Sequence, residues 1–330
     1  MKTNRRLAPE EHSKHFKIIS RKNAVMPRKM LQNQKLWHEY AESRIVGPNP
    51  LHVDIELTNA CDISCVMCER RLMRRPIGFM TMATFRTIIR QCVKANVRMV
   101  KLNLWGESLL HKDLLAMISF AKKHSRLVLQ FNTNARALTP EIARGLISSR
   151  LDKITISMDG INKKTYESIR VGSNFELVMK NLKTLLDLKK KARSPYPEVT
   201  LQILRLQANE HERKRFIKYW SKKADVVTVT NIGATTADPD ILKLSLRQNK
   251  EHTRIPCPQL WQRLSVFWDG TITACCGDYQ GFLRLGHIGK NTLSKIWQGR
   301  KLNDLRQKHA DRDFKDLICE KCTGILEFSP

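Results

Sequence analysis

Thr58-Asn59-Ala60-Cys61-Asp62-Ile63-Ser64-Cys65-Val66-Met67-Cys68 decides how the rest of the chain is read. It follows directly on a short apolar run, residues 51–57 (LHVDIEL), so three thiols lie on a loop leaving a strand. Their spacing is C-x3-C-x2-C, a pitch at which three thiolates wrap one face of a metal centre. Soft thiolates select zinc or iron–sulfur clusters. A closed structural zinc site takes a fourth ligand nearby, but the next cysteine is Cys92, in the middle of a helical segment. Three ligands without a close fourth leave one position open, which is a catalytic arrangement. A zinc knuckle completed by a distant residue is the alternative.

Outward from this loop the chain alternates. Apolar, β-branched runs recur at 51–57, 99–104, 126–131, 153–158, 199–204 and 226–231. Segments of helical spacing fall between them, at 81–96, 112–124, 139–149, 174–191 and 210–223. In 174–191, Leu177, Val178, Asn181, Leu182, Leu185, Leu186 and Leu188 form one stripe, and Cys92 falls on a similar stripe as a core residue. Six strand–helix units predict an α/β fold, a partial (β/α)6 barrel of parallel strands with its active edge at the strand C-termini. Residues 1–50 read as a basic, helical or irregular lead-in (Lys2, Arg5, Arg6), punctuated by Pro27, Pro48 and Pro50. The expected division is lead-in 1–50, barrel 51–240 and a smaller hairpin-and-helix domain 241–330.

Composition narrows the class. The 330 residues carry a formal net charge of +28, of which +25 lies in the first 250 residues, so the excess is a field and not a tail. It implies attraction to an anionic partner without choosing one. Local runs such as Arg70, Arg71, Arg74, Arg75 and Lys189, Lys190, Lys191 read as solvated surface. No run approaches the roughly 20 apolar residues of a membrane span, and no signal-peptide core follows the N-terminus. Nine cysteines at short spacings, with no export signal, point to reduced thiols that bind metal, hence to a cytoplasmic protein.

The second cysteine set is Cys257, Cys275-Cys276 and Cys319-Glu320-Lys321-Cys322. Cys257 and Cys275 flank an expected β-hairpin turning at Asp269-Gly270. Four thiolates in two pairs suit a fully ligated iron–sulfur cluster or a structural zinc. Cys276 is left over and reads as a small buried side chain.

CDISCVMC at the end of the first strand of such a repeat resembles the radical S-adenosylmethionine (radical SAM) superfamily. The resemblance implies that Cys61, Cys65 and Cys68 hold a 4Fe–4S cluster whose free iron chelates S-adenosylmethionine. Reductive cleavage of that cofactor then gives a 5′-deoxyadenosyl radical that abstracts hydrogen from substrate. Met67 would pack near the adenine. Leu104-Trp105-Gly106-Glu107-Ser108 looks like the family's glycine–glutamate motif, where Gly106 admits the cofactor and Glu107 accepts from its ammonium group. Trp105 and Ser108 depart from the more frequent glycine and proline. Asn132-Thr133-Asn134 is similar to a turn after the third strand, and Ser157 with Arg170 resembles a ribose and carboxylate contact. Arg170 could equally be a surface ion pair. The C-terminal cysteines are similar to SPASM and twitch extensions, with Leu285-Gly286-His287-Ile288-Gly289 and Trp297 resembling the linker. This implies one auxiliary 4Fe–4S cluster held by Cys257, Cys275, Cys319 and Cys322.

A fully ligated auxiliary cluster leaves no site for substrate, so its implied role is electron transfer. The reaction then needs a base, for which Asp278 is the candidate; an Asx turn is the structural reading of the same residue. The implied partners are S-adenosylmethionine and an external one-electron donor such as flavodoxin or ferredoxin. The expected substrate is an anionic or polyol small molecule (a sugar, cyclitol or nucleotide derivative) that is oxidised or epimerised at carbon. Maturation of a ribosomally made peptide or protein is the alternative. A structural-zinc, nucleic-acid-binding protein is a third reading, but no stacked aromatic-basic motif supports it.

Overall fold

Within each apolar run every second residue is polar, and that alternation decides how the strands lie. In residues 52–55 Val53 and Ile55 are fully buried in the apolar core, while Asp54 points the other way. The same phase places Lys101, Gln130, Thr155, Thr200 and Thr228 opposite Val100, Leu129, Ile154, Leu201 and Val227. One face of the sheet therefore packs on helices and the other lines a polar lumen.

The computed structural model describes residues 16–21, 28–233, 238–246, 252–323 and 326–328. Lys2, Arg5, Arg6 and Pro27 of the lead-in, and parts of the 235–256 junction, lie outside the described residues. In chain order the elements are β1 (Phe16–Arg21), α1 (Arg28–Glu42), β2 (His52–Ile55), α2 (Met82–Lys94), β3 (Met99–Lys101) and α3 (Leu114–His124). These are followed by β4 (Val128–Thr133), α4 (Pro140–Ser148), β5 (Lys153–Ser157), α5 (Lys163–Ile169), α6 (Phe175–Lys191) and β6 (Glu198–Arg205). Next come α7 (Arg213–Trp220), β7 (Val226–Asn231), α8 (Pro239–Leu242), β8 (His252–Arg254), β9 (Arg263–Val266) and β10 (Thr271–Thr273). The chain ends with β11 (Arg284–His287), α9 (Leu293–Trp297), α10 (Arg300–Ala310) and β12 (Leu326–Phe328).

Helix starts are set by side chains that accept from an otherwise orphaned N–H. Thr81, Thr139, Asn162, Asn174 and Thr292 cap α2, α4, α5, α6 and α9 in this way. Pro140 sits at the first turn of α4, where its missing N–H costs nothing.

The main sheet runs β1-β7-β6-β5-β4-β3-β2-β9-β10-β11. Strands β2 to β7 are parallel in sequence order, the expected six-fold partial barrel. β9 joins β2 in parallel, and the β9–β10–β11 meander continues the sheet antiparallel. The expected hairpin is present, turning through Gly270 at φ +90°. Two features depart from the sequence reading. The lead-in contains a strand, since β1 pairs antiparallel with β7 and covers what would otherwise be an open parallel edge. Leu177 is exposed, because α6 turns Val178, Asn181, Leu182 and Leu185 inward instead. Cys92 is fully buried on α2, as expected of a core residue. No helix among the described residues is long and apolar enough to cross a membrane.

Candidate active site

The cysteine loop leaves the C-terminal end of β2 and is gripped by the loops that follow β3, β4 and α5. The Glu107 N–H donates to Ala60 O at 2.8 Å, and Ser64 and Val66 donate to Val171 O and Ile169 O at 2.8 and 3.1 Å. Asn134 Nδ2 and Arg136 Nη1 both donate to the Asp62 carboxylate, at 2.8 and 3.1 Å. Gly106 sits at φ +85°, and a Cβ there would lie 2.4 Å from Thr58 O and 2.6 Å from Ala60 O. Only glycine permits that backbone approach.

The three thiols are half-buried. Burial pushes Cys61 up to about 11 and also raises Cys65 and Cys68. Thiolates in so dry a loop call for a metal as counter-charge. Among the described residues no three Cys, His, Asp or Glu side chains converge on a point where one ion could sit. An all-sulfur set standing apart suits separate irons of one cluster, and Cys61, Cys65 and Cys68 would hold it.

Around that loop the other expected residues take distinct places. Glu107 is buried, and its carboxylate already accepts from Leu109 N (3.0 Å), Thr133 Oγ1 (2.8 Å) and Asn134 N (2.8 Å). It is a strut between the turns after β3 and β4, and the expected contact to a cofactor ammonium would draw on what acceptor capacity those donors leave. Burial lifts its carboxyl to about 7 against the pull of those donors. Asn134 is likewise committed, to Asp62, whereas Asn132 and Ser157 lie half-buried on strands β4 and β5. Met67 is half-buried beside Cys68. Arg170 is not a surface ion pair. Its guanidinium binds Asp159, whose side chain is 1% exposed, at 2.5–2.7 Å, and donates from Nη1 to Cys65 Sγ at 3.5 Å.

The C-terminal cysteines are placed by short turns. Cys257 precedes a single 3-10 turn (Pro258–Trp261), and its N–H donates to His309 Nδ1 on α10 at 3.0 Å. Cys275 follows β10, and its thiol is raised by the adjoining Cys276 thiol, by burial and by the nearby Cys257. Cys319 and Cys322 share one turn, the Cys322 N–H reaching Cys319 O at 3.2 Å. Cys276 donates to Gln259 Oε1 at 2.8 Å. The donor chemistry again fits a thiolate-ligated cluster, and Cys257, Cys275, Cys319 and Cys322 would hold it.

Asp278, the candidate base, has its carboxylate engaged by the protein itself. It is fully buried, and its oxygens accept from Gly281 N, Phe282 N and Leu283 N at 2.8 Å each and from Thr273 Oγ1 at 2.7 Å. The carboxylate holds the loop between β10 and β11 through N–H groups three to five residues on, a wider anchor than the expected Asx turn.

Two features escaped the sequence reading. In the arginine run after the cysteine loop, Arg71 and Arg74 are exposed as expected but Arg75 is structural. Arg75 forms a bidentate pair with Glu56 at 2.7 and 3.0 Å, lies 3.8 Å over the Phe267 ring and donates to Tyr279 O. Gln280 spans the same junction to Leu72 O and Arg74 N. These contacts fasten the loop after β2 to the cysteine-bearing meander. The second feature is the lumen itself, where Arg263 pairs with buried Asp54 at 2.9 Å and Lys101 has no carboxylate partner among the described residues, its charge reaching the Cys276 thiol instead. The hydroxyls of Thr200, Thr228 and Ser265 are buried there without a hydrogen-bond partner. The period-two alternation of the strand sequences was the signal for both Asp54 and Lys101.

A model of the radical SAM superfamily matches residues 55–220, and one of the SPASM iron–sulfur cluster-binding domain matches residues 257–323. Mycofactocin maturase MftC of Mycobacterium tuberculosis (strain CDC 1551 / Oshkosh) is 23% identical over 192 residues, 58% of this chain and 47% of that protein. A probable GTP 3',8-cyclase of Methanopyrus kandleri is 30% identical over 124 residues, 38% of this chain and 39% of that protein. The chain thus spans about half the length, or less, of these curated relatives. Among solved structures, BtrN in complex with AdoMet and 2-DOIA aligns with a TM-score of 0.55 at 17% identity, covering 82% of this chain and 92% of that one. Streptococcus suis SuiB bound to precursor peptide SuiA aligns at 0.57 and 15%, covering 91% and 75%. At these identities the likeness establishes the fold.

Proposed function

The chain belongs to the radical SAM superfamily, and from that premise we propose that it modifies a peptide or protein substrate by hydrogen abstraction. When bound, a 4Fe–4S cluster with S-adenosylmethionine supplies the radical that takes the hydrogen. Cys61, Cys65 and Cys68 would bind that cluster, and the glycine at 106 lets the loop after β3 pack against the backbone leading into those cysteines. Met67, Asn132 and Ser157, at strand ends or on the loop, would line the cofactor, while Glu107 and Asn134 hold the loops in register. Arg170 would offset thiolate charge at Cys65. Cys257, Cys275, Cys319 and Cys322 would hold the auxiliary cluster as an electron acceptor. The barrel at 51–240 and the extension at 241–330 are the corresponding units.

The observation that carries this reading is the junction of Arg75, Glu56, Phe267 and Tyr279, which holds the two cysteine regions to one sheet edge. The peptide class is supported by the similarity to MftC, a maturase, and to SuiB in its peptide complex. An anionic or polyol small molecule is the second reading. Lys101 and the hydroxyls of Thr200, Thr228 and Ser265, which have no hydrogen-bond partner among the described residues, favour it, since they offer hydrogen-bonding capacity inside the lumen.

Anaerobic reconstitution tests the proposal. About eight irons per chain are expected, falling to about four when Cys319 and Cys322 are both replaced by Ala. Mass spectrometry for 5′-deoxyadenosine, with peptides and polyols offered separately, distinguishes the two substrate classes. Zinc without iron would overturn the reading.

A further inference from the structure

The N-terminal end of the barrel, away from both cysteine sets, carries a cleft of about 1380 Å3. It lies between α6, the 193–198 loop and the end of α7, at the starts of β5, β6 and β7. Eight Lys or Arg side chains line it against four Asp or Glu. Three of those acids are already engaged: Asp152 by Lys122 at 2.7 Å, Glu198 by Lys153 at 3.6 Å, and Asp225 by Lys189. Lys180, Lys183, Lys190 and Arg193 are exposed and have no acidic partner among the described residues. The three lysines share one flank of α6 and span roughly 15 Å of helix axis.

Under this basic rim the floor is apolar, formed by Met179, Leu186, Pro195, Tyr196 and Tyr219. Trp220 adds a buried indole N–H without a hydrogen-bond partner. The volume exceeds the roughly 300–1,000 Å3 of a small-molecule pocket, which points to an extended ligand. Single-stranded nucleic acid would stack its bases on free ring faces. Here Lys223 lies 3.7 Å over Tyr219 and Arg150 lies 5.2 Å over Tyr196, so cations already occupy a face of each ring. An apolar floor beneath point charges is instead complementary to carboxylates interleaved with apolar side chains.

We propose that this cleft docks an acidic peptide segment bearing apolar side chains, contributed by a partner protein. Carboxylates pair with Lys180, Lys183, Lys190 and Arg193, and apolar side chains cover Met179, Leu186 and Pro195. The site lies at the opposite end of the barrel from the cysteine loop, so it holds whatever the reaction there turns out to be.

Fluorescence anisotropy on the full-length reconstituted protein tests it, with a short labelled peptide alternating Glu and Leu as the probe. The comparators are the same peptide with Ser for Leu and an oligouridylate of similar length. The Glu/Leu peptide should bind most tightly, and Lys180→Glu with Lys183→Glu should weaken it roughly tenfold. Both lysines are exposed on a helix surface, so the variant should fold as the parent does. No binding, equal binding of the serine peptide, tighter binding of the oligouridylate, or indifference to the charge reversal would each overturn the proposal.

Discussion

At the residue scale, Glu107 and Asp278 show how burial reassigns carboxylates. Glu107 has its carboxyl raised from 4.5 to about 7, first by burial and only partly countered by three donors. A group whose folded value lies above its unfolded one holds a proton that the unfolded chain has already lost. Stability contributed by Glu107 is therefore present below pH 4.5 and is lost as pH rises toward 7, by roughly 3 kcal/mol. Denaturant unfolding across that window should show the fall, and Glu107→Gln should flatten it. Asp278 faces four donors, so Asp278→Asn would turn an amide NH2 against N–H groups it cannot bond. A loss of about 1–3 kcal/mol is expected, seen as a lower melting temperature. If Asp278 were instead the proton acceptor, turnover would collapse at unchanged stability. The strut role of Glu107 was not legible in the sequence, which shows a Gly-Glu pair but not the donors around it, whereas a turn-holding aspartate was one of the two readings of Asp278.

At the element scale, the strands and long helices were legible because each carries its own period. The helix expected over 174–191 is Phe175–Lys191, and the strand expected over 226–231 is Val226–Asn231. β1 was not legible: FKIISR takes its partner from β7, more than 200 residues away, and no local pattern encodes that pairing. The short α5 was missed as well, since seven residues give too little periodicity to register. Gly106 belongs to this scale, because it is where the loop after β3 meets the loop after β2. Gly106→Ala should cost roughly 1–3 kcal/mol in backbone strain alone. Its Cβ must also push the Thr58–Ala60 backbone away, so S-adenosylmethionine binding should be lost while the far-ultraviolet circular dichroism is kept. Titration calorimetry with the reconstituted protein reads the first outcome.

At the scale of the whole molecule, the barrel and the cysteine-bearing meander share one sheet and one buried ion pair. The Arg75 and Glu56 side chains are 7% and 0% exposed. Arg75→Met would leave the Glu56 carboxylate uncompensated, costing about 3–5 kcal/mol. Burial already raises Glu56, and removing the guanidinium raises it further. The deficit of the variant should therefore grow as pH rises, which guanidinium unfolding at acid and alkaline pH will measure. In the sequence Arg75 was one of four arginines that read as solvated surface. The sequence by itself determined the strand–helix order, the C-x3-C-x2-C loop at a strand end and the second cysteine set, because periodicity and spacing are local properties. Tertiary structure alone decided that β9 joins β2, that Asp278 is an anchor, that Arg170 reaches Cys65 and that scattered lysines and tyrosines form one cleft. Those facts depend on which distant groups share a dry environment, and only the folded chain brings them within a few ångströms of each other.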